Sequence, residues 1–88
     1  MRTTVLFSGN VQGVGFRYTA ARLAGHRRVT GYVRNLPDGR VELVAEGSPE
    51  EIDGLIADIE QAMSGCIRDR QVARGPETGE FHGFTIRH

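Results

Sequence analysis

The sequence predicts an α+β domain in which two helices pack on one face of a mainly antiparallel sheet. Three observations point to this class: short runs in which apolar and polar residues alternate, two stretches with apolar residues at helical spacing, and glycine- or proline-rich turns between them. The chain has 88 residues, of which 39% are hydrophobic, enough for one small core. We therefore expect a single domain over residues 1–88.

The first half of the chain predicts a strand followed by a helix. Thr3–Gly9 is typical of a strand because Val5 and Phe7 alternate with the residues between them. After a glycine-rich turn, apolar residues recur at helical spacing: Phe16, Ala20, Leu23 and Ala24. This helix is expected to end near Gly25, where the cationic run His26–Arg28 complements the exposed carbonyl groups.

A β-hairpin is predicted next, with strands over Val29–Leu36 and Arg40–Gly47. The turn between them is Pro37–Gly39, in which proline presets one backbone dihedral and glycine supplies a positive one. Three residues of the second strand are expected to share the core face: Val41, Leu43 and Ala45.

The second helix has the clearest start signal. Ser48 is a suitable N-cap, Pro49 suits the first helical position, and Glu51 is expected to complete a capping box. The apolar stripe that follows consists of Ile52, Leu55, Ile56, Ile59 and Met63. We expect this helix to end at Gly65, and we expect Gly54 within it to permit close packing on the sheet.

The last segments predict an edge strand, a loop and a closing strand. Ile67–Ala73 is rich in charge, as edge strands often are, and Gly75–Gly79 is expected to be a loop. Phe81–Arg87 closes the chain, with Phe84 and Ile86 on one face. The resulting order is βαββαβ with an additional strand, which predicts a ferredoxin-like sandwich with a four- to five-stranded sheet.

Composition argues against several classes of partner. The chain has eleven basic and eleven acidic residues, and all the basic residues are arginine, so no net field directs it to nucleic acid. No segment approaches the roughly 20 apolar residues of a membrane span, and no signal peptide is recognisable. Cys66 is the single cysteine, which excludes an internal disulfide. We expect a cytoplasmic monomer that binds neither nucleic acid nor membrane.

The segment Gly9–Arg17 combines a strand end, a glycine-rich turn and an arginine at the start of a helix. Backbone N–H groups, a helix N-terminus and a guanidinium near one another suit a phosphate group. A Walker loop is excluded because the protein has no lysine, and a dinucleotide fingerprint is excluded because the third glycine is absent after Gly15. An ordinary strand-to-helix turn with a solvated Arg17 remains open at this point.

Two spaced motifs carry a family resemblance. The string Val-Gln-Gly-Val-Gly-Phe-Arg at 11–17 and the string Gly-Tyr-Val-Arg-Asn at 31–35 closely resemble the two signatures of the acylphosphatase family. The segments Pro37–Glu42 and Ala45–Gly47 also resemble family sequence. The resemblance covers most of the chain and agrees with the predicted order of elements.

The resemblance implies hydrolysis of an acyl phosphate to a carboxylate and inorganic phosphate. It implies that Arg17 and the loop amides hold the phosphoryl group, the amides being those of Gly13, Val14, Gly15, Phe16 and Arg17. It also implies that Asn35 positions the attacking water. Gln12, which precedes the loop, is expected to support it through hydrogen bonds. We expect no cofactor and no metal, because the histidines His26, His82 and His88 lack metal-ligand spacing.

Two other functions remain to be weighed. A non-catalytic acylphosphatase-like module that binds an anion without turnover would carry the same motifs. RNA binding on a fold with this order of elements is disfavoured, because the central strand segment Arg40–Glu46 has no aromatic residue for stacking bases and the net charge is zero. The resemblance implies a small acyl phosphate as the partner.

Overall fold

The computed structural model describes all 88 residues as one five-stranded sheet with two helices. The strands are β1 (Arg2–Gly9), β2 (Val29–Asn35), β3 (Val41–Gly47), β4 (Ile67–Gly75) and β5 (Phe84–Arg87). The helices are α1 (Phe16–Ala24) and α2 (Pro49–Ala62). Neither helix has the length and apolar character needed to cross a membrane.

The sheet has the order β4-β1-β3-β2-β5. Three neighbouring pairs are antiparallel, whereas β5 runs parallel to β2 at the edge of the sheet. The predicted ferredoxin-like α+β sandwich is therefore confirmed, with a mixed sheet in which the additional C-terminal strand forms the one parallel pair.

The helices and the facing side of the sheet enclose one core of 15 buried residues. Val5 and Phe7 of β1 lie on this face as predicted, and the Phe7 ring packs against Phe16 of α1 with ring centroids 5.1 Å apart. Phe16 is 2% exposed, and burying a side chain of this size contributes roughly 1.5–3 kcal/mol. This packing fixes the first turn of α1 against the end of the sheet.

Strand register places Asn35 on the helix side of the sheet. Val33 is fully buried in the core, and side chains two residues apart on a strand share a face, so Asn35 lies on that same face at the last position of β2. Ile86 of β5 pairs with Val33 in the parallel register and lies on that face too. The ends of β2 and β5 and the start of α1 therefore surround one edge of the core.

The opposite face of the sheet is covered by the loop between β4 and β5, which the sequence did not reveal. Glu46 of β3 is only 3% exposed. Its carboxylate accepts hydrogen bonds from Thr78 N–H (3.0 Å), Thr78 Oγ1 (2.9 Å), Gly79 N–H (2.9 Å) and Arg2 Nη1 (3.3 Å). Burial alone would raise the pKa of Glu46, but these hydrogen bonds outweigh it and lower the pKa to about 2.

Several expected boundaries differ from the structure; the edge strand β4, for example, continues to Gly75 instead of ending at Ala73. The final strand begins at Phe84, not at Phe81, because the Phe81 ring packs edge-on against Tyr32 with centroids 5.8 Å apart on the loop-covered face. The second helix ends at Ala62, not at Gly65, and Met63 serves as its C-cap. The chain then turns through Ser64–Cys66 before β4.

The expected capping box is only half formed. Ser48 Oγ accepts the Glu51 N–H at 3.3 Å, but the Glu51 carboxylate accepts the Arg28 N–H at 2.8 Å and lies 3.7 Å from Arg27 Nη1. Arg27 and Arg28 thus bind the Glu51 carboxylate, which in a complete capping box would accept the Ser48 N–H. Gly54 leaves room for the Arg27 guanidinium, not for the sheet as expected.

Candidate active site

The loop before α1 carries a row of backbone N–H groups without backbone acceptors. Gly13 and Gly15 adopt left-handed φ angles of 78° and 77°, which L-residues with side chains rarely adopt. Gly15 is the N-cap of α1 and supplies no side-chain cap. The first backbone hydrogen bond into this helix runs from Thr19 N–H to Gly15 O, at 3.0 Å. The N–H groups from Gly13 to Tyr18 therefore have no backbone acceptor and suit an anion at the helix terminus.

Arg17 brings a guanidinium that no carboxylate neutralises. Its Nη1 lies 3.4 Å from the carbonyl oxygen of Arg87 and 3.2 Å from His88 Nδ1. The carbonyl is an uncharged acceptor, and Nδ1 is one in the tautomer that carries its proton on Nε2. No acidic side chain lines the cleft in which Arg17 lies. A guanidinium has five N–H donors in a planar fork, so most of them are free to bind phosphoryl oxygens.

Asn35 presents a buried polar atom without a protein partner. Its Oδ1 accepts no hydrogen bond from the chain, whereas buried polar atoms in proteins nearly always have one. The side chain lines the same cleft as Arg17 and the glycine loop. A small hydrogen-bond donor in the cleft, such as a water molecule, would satisfy this oxygen without any change of charge.

Gln12 lies behind the loop and ties it to the β2–β3 turn. Its Nε2 donates hydrogen bonds to the carbonyl oxygens of Leu36 at 2.8 Å and Arg40 at 2.9 Å. Leu36 directly follows Asn35. The side chain therefore fixes the spacing between the amide-bearing loop and the strand end that carries Asn35.

The cleft that these groups form has a volume of about 170 Å³. It brings together Gly13, Gly15, Phe16, Arg17 and Asn35 from the sequence prediction. Val14 lies between the two lining glycines and is 40% exposed, and Gln12 is outside the lining. No group of three or more histidine, cysteine or acidic side chains is placed to hold a metal ion.

Sequence reasoning missed four lining residues: Val11, Tyr18, Ile86 and His88. Ile86 and His88 reach the cleft only because β5 pairs in parallel with β2, and no local signal in the chain encodes that pairing. Tyr18 directly follows Arg17 on the first turn of α1, so helical spacing could have placed it near the cleft.

Comparison with known proteins shows the family of this chain. The profile of the acylphosphatase family matches residues 3–86. The chain belongs to the acylphosphatase family. A curated acylphosphatase from Thermococcus kodakarensis is 52% identical over 86 residues, which cover 98% of this chain and 94% of that protein. An acylphosphatase from Methanospirillum hungatei is 44% identical over 87 residues, or 98% and 96% of the two chains.

A solved acylphosphatase structure shares the whole fold. The crystal structure of the Bacillus subtilis acylphosphatase superposes with a TM-score of 0.88 at 29% identity, and the match covers 99% of this chain and 98% of that one. The family match and these high-coverage relatives support a hydrolase of the acylphosphatase type.

Proposed function

We propose that this chain hydrolyses the carboxyl–phosphate bond of acyl phosphates, with Arg17 and the loop amides holding the phosphoryl group and Asn35 orienting the attacking water. The observation that carries the proposal is the convergence of three groups on one cleft: unpaired N–H groups, an arginine without a carboxylate partner, and the unpartnered Oδ1 of Asn35. An ordinary strand-to-helix turn would not require all three.

The binding step follows from charge. The phosphoryl group of an acyl phosphate carries two negative charges, which the helix N-terminus, the amides of Gly13 to Arg17 and the Arg17 guanidinium would share. The amide donors are fixed by the backbone before substrate arrives, so little reorganisation of the loop accompanies binding. Phosphoryl transfer passes through a loose transition state with charge on the phosphoryl oxygens, where such donors act most strongly.

The chemical step needs little more than an oriented water. Asn35 Oδ1 would accept one hydrogen bond from a water and direct its oxygen at phosphorus. The new phosphorus–oxygen bond forms as the bond to the bridging oxygen breaks, and its electron pair leaves with the carboxylate. The products are a carboxylate and inorganic phosphate, on which the hydrogens of the water remain. A carboxylate leaves without help from a general acid.

The proposal includes a cytoplasmic monomer whose partner is a small acyl phosphate, acting without a cofactor, a metal ion or nucleic acid. Its direct test is hydrolysis of benzoyl phosphate by the purified protein in the presence of a chelator. Arg17→Ala should lower kcat by about 100- to 1,000-fold, as expected for losing a transition-state donor. Arg22→Ala is the matched control, because Arg22 is an exposed arginine on the same helix.

Equal rates for the wild type and Arg17→Ala would refute the enzymatic proposal. If both proteins were inactive but only the wild type bound inorganic phosphate, the non-catalytic anion-binding module would be correct instead.

A further inference from the structure

Exposed apolar side chains are concentrated beside the cleft. Three large hydrophobic residues of the protein are exposed: Val14 at 40%, Tyr18 at 72% and Val72 at 40%. Val72 lies on the edge strand β4, whereas Tyr18 lines the cleft and Val14 lies between two glycines that line it. Exposed apolar surface next to a binding cleft is a common sign of ligand contact.

Tyr18 has no evident structural task. The aromatic pairs of the protein are Phe7 with Phe16 and Tyr32 with Phe81, so the Tyr18 ring packs on no other ring. Tyr32 shows the contrast: it is buried, its hydroxyl donates to Glu42 at 3.0 Å, and the Arg87 guanidinium lies 3.9 Å from its ring centroid. Tyr18 therefore presents an unused aromatic face.

The position of the phosphoryl group determines where the acyl group must go. The amides and Arg17 would enclose the terminal phosphoryl oxygens, so the bridging oxygen and the acyl group point away from them, towards the mouth of the cleft. In-line attack also requires the leaving oxygen to lie opposite the water. Asn35, which would orient the water, belongs to β2. Val14 and Tyr18, which are candidates to contact the acyl group, belong to the loop and to α1. Ile86 of β5 adds a half-buried apolar surface to the lining.

The lining offers no second arginine to an acyl group that carries its own anionic group. Arg17 is the only arginine that lines the cleft, and the proposed function assigns it to the phosphoryl group. The guanidinium of the nearby Arg87 stacks on Tyr32, on the opposite face of the sheet. No second guanidinium is therefore available for a further phosphate or carboxylate.

We propose that Tyr18, with Val14 and Ile86, forms a subsite for the acyl group that favours acyl phosphates with an apolar, planar acyl group such as an aroyl group. This inference rests on the proposed function, because it assumes that the phosphoryl group occupies the loop. Tyr18 contacts the acyl group through its ring face, since aromatic rings favour offset or edge-to-face contact. Its hydroxyl group is not required.

The test compares kcat/KM for benzoyl phosphate and acetyl phosphate. Tyr18→Ala should lower kcat/KM for benzoyl phosphate by about two- to tenfold, the range expected for one aromatic contact, and mainly through KM. The value for acetyl phosphate should change by less than about twofold on the same basis. Tyr18→Phe should behave as the wild type on both substrates. Because Tyr18 is 72% exposed, we expect both variants to unfold at the wild-type temperature.

Equal losses on the two substrates, or no loss on benzoyl phosphate, would overturn the inference. The binding of phenylphosphonate and methylphosphonate provides a measurement that does not depend on turnover. A wild-type preference for phenylphosphonate that is reduced in Tyr18→Ala would support the subsite, even if neither acyl phosphate were hydrolysed. The absence of hydrolysis would then count against the proposed reaction alone. An unchanged preference in Tyr18→Ala would exclude the subsite.

Discussion

Replacing Gln12 with alanine should loosen the active site without touching the groups proposed to meet substrate. The change removes two side-chain hydrogen bonds, to Leu36 O at 2.8 Å and to Arg40 O at 2.9 Å. Neither carbonyl is left unpaired, because Leu36 O also accepts from Gly39 N–H and Arg40 O from Leu36 N–H. Only the net value of the two bonds is lost, which is about 1–2 kcal/mol.

For a domain of this size, that loss lowers the melting temperature by about 4–16 °C. The kinetic effect should be larger than the melting shift suggests. Gln12 fixes the distance between the amide loop and the strand end with Asn35, and small misplacements of catalytic groups are costly, so kcat for benzoyl phosphate should fall by about tenfold.

Gln61→Ala is the matched control, because Gln61 is an exposed glutamine on α2. Thermal unfolding and steady-state hydrolysis of the two variants would be measured side by side. A Gln12→Ala protein that melts and turns over like Gln61→Ala would refute the claim that this side chain holds the two halves of the site together.

Two further predictions concern the loop on the far face and the glycine cradle. The pKa of Glu46 is about 2 in the folded protein against an ordinary value of 4.5, so its stabilising contribution is complete above pH 4.5 and is lost as the pH falls towards 2. In urea unfolding, the stability difference between wild type and Glu46→Gln should therefore shrink over that range, and a constant difference would contradict the assignment. Gly15→Ala should cost about 1–2 kcal/mol and weaken phosphate binding, because Gly15 has a φ of 77°. Gly65→Ala, at an unstrained site open to solvent, should do neither, and similar unfolding of the two variants would count against the strained cradle.

The fold was predictable because local patterns agree with the tertiary packing. Val5 and Phe7 alternate into the core, and Pro37–Gly39 separates the two hairpin strands. The mixed character of the sheet depends on β5, whose parallel pairing with β2 joins residues more than 50 positions apart. Sequence spacing carries no information on such a pairing. The same limit explains why Ile86 and His88 were not expected at the cleft.

Polar interactions between residues far apart in the sequence were harder to predict than the apolar core. Glu46 alternates with core residues, and a glutamate at such a position would ordinarily be solvated. It is buried because Thr78 and Gly79 fold back to donate to it. Glu51 fits a capping box by spacing, yet it bonds Arg28 N–H instead, because the end of α1 lies beside the start of α2. In both cases a distant donor decided the outcome.

The central claim is that Arg17 and Asn35 divide the work of one site, so that the arginine binds the phosphoryl group and the asparagine directs water. The most direct test measures inorganic phosphate affinity and benzoyl phosphate turnover on Asn35→Ala. We predict phosphate affinity within about twofold of wild type, because the loop amides and Arg17 are retained, and a kcat lowered by about 100-fold. Loss of phosphate binding in Asn35→Ala, or turnover at the wild-type rate, would contradict that division of roles.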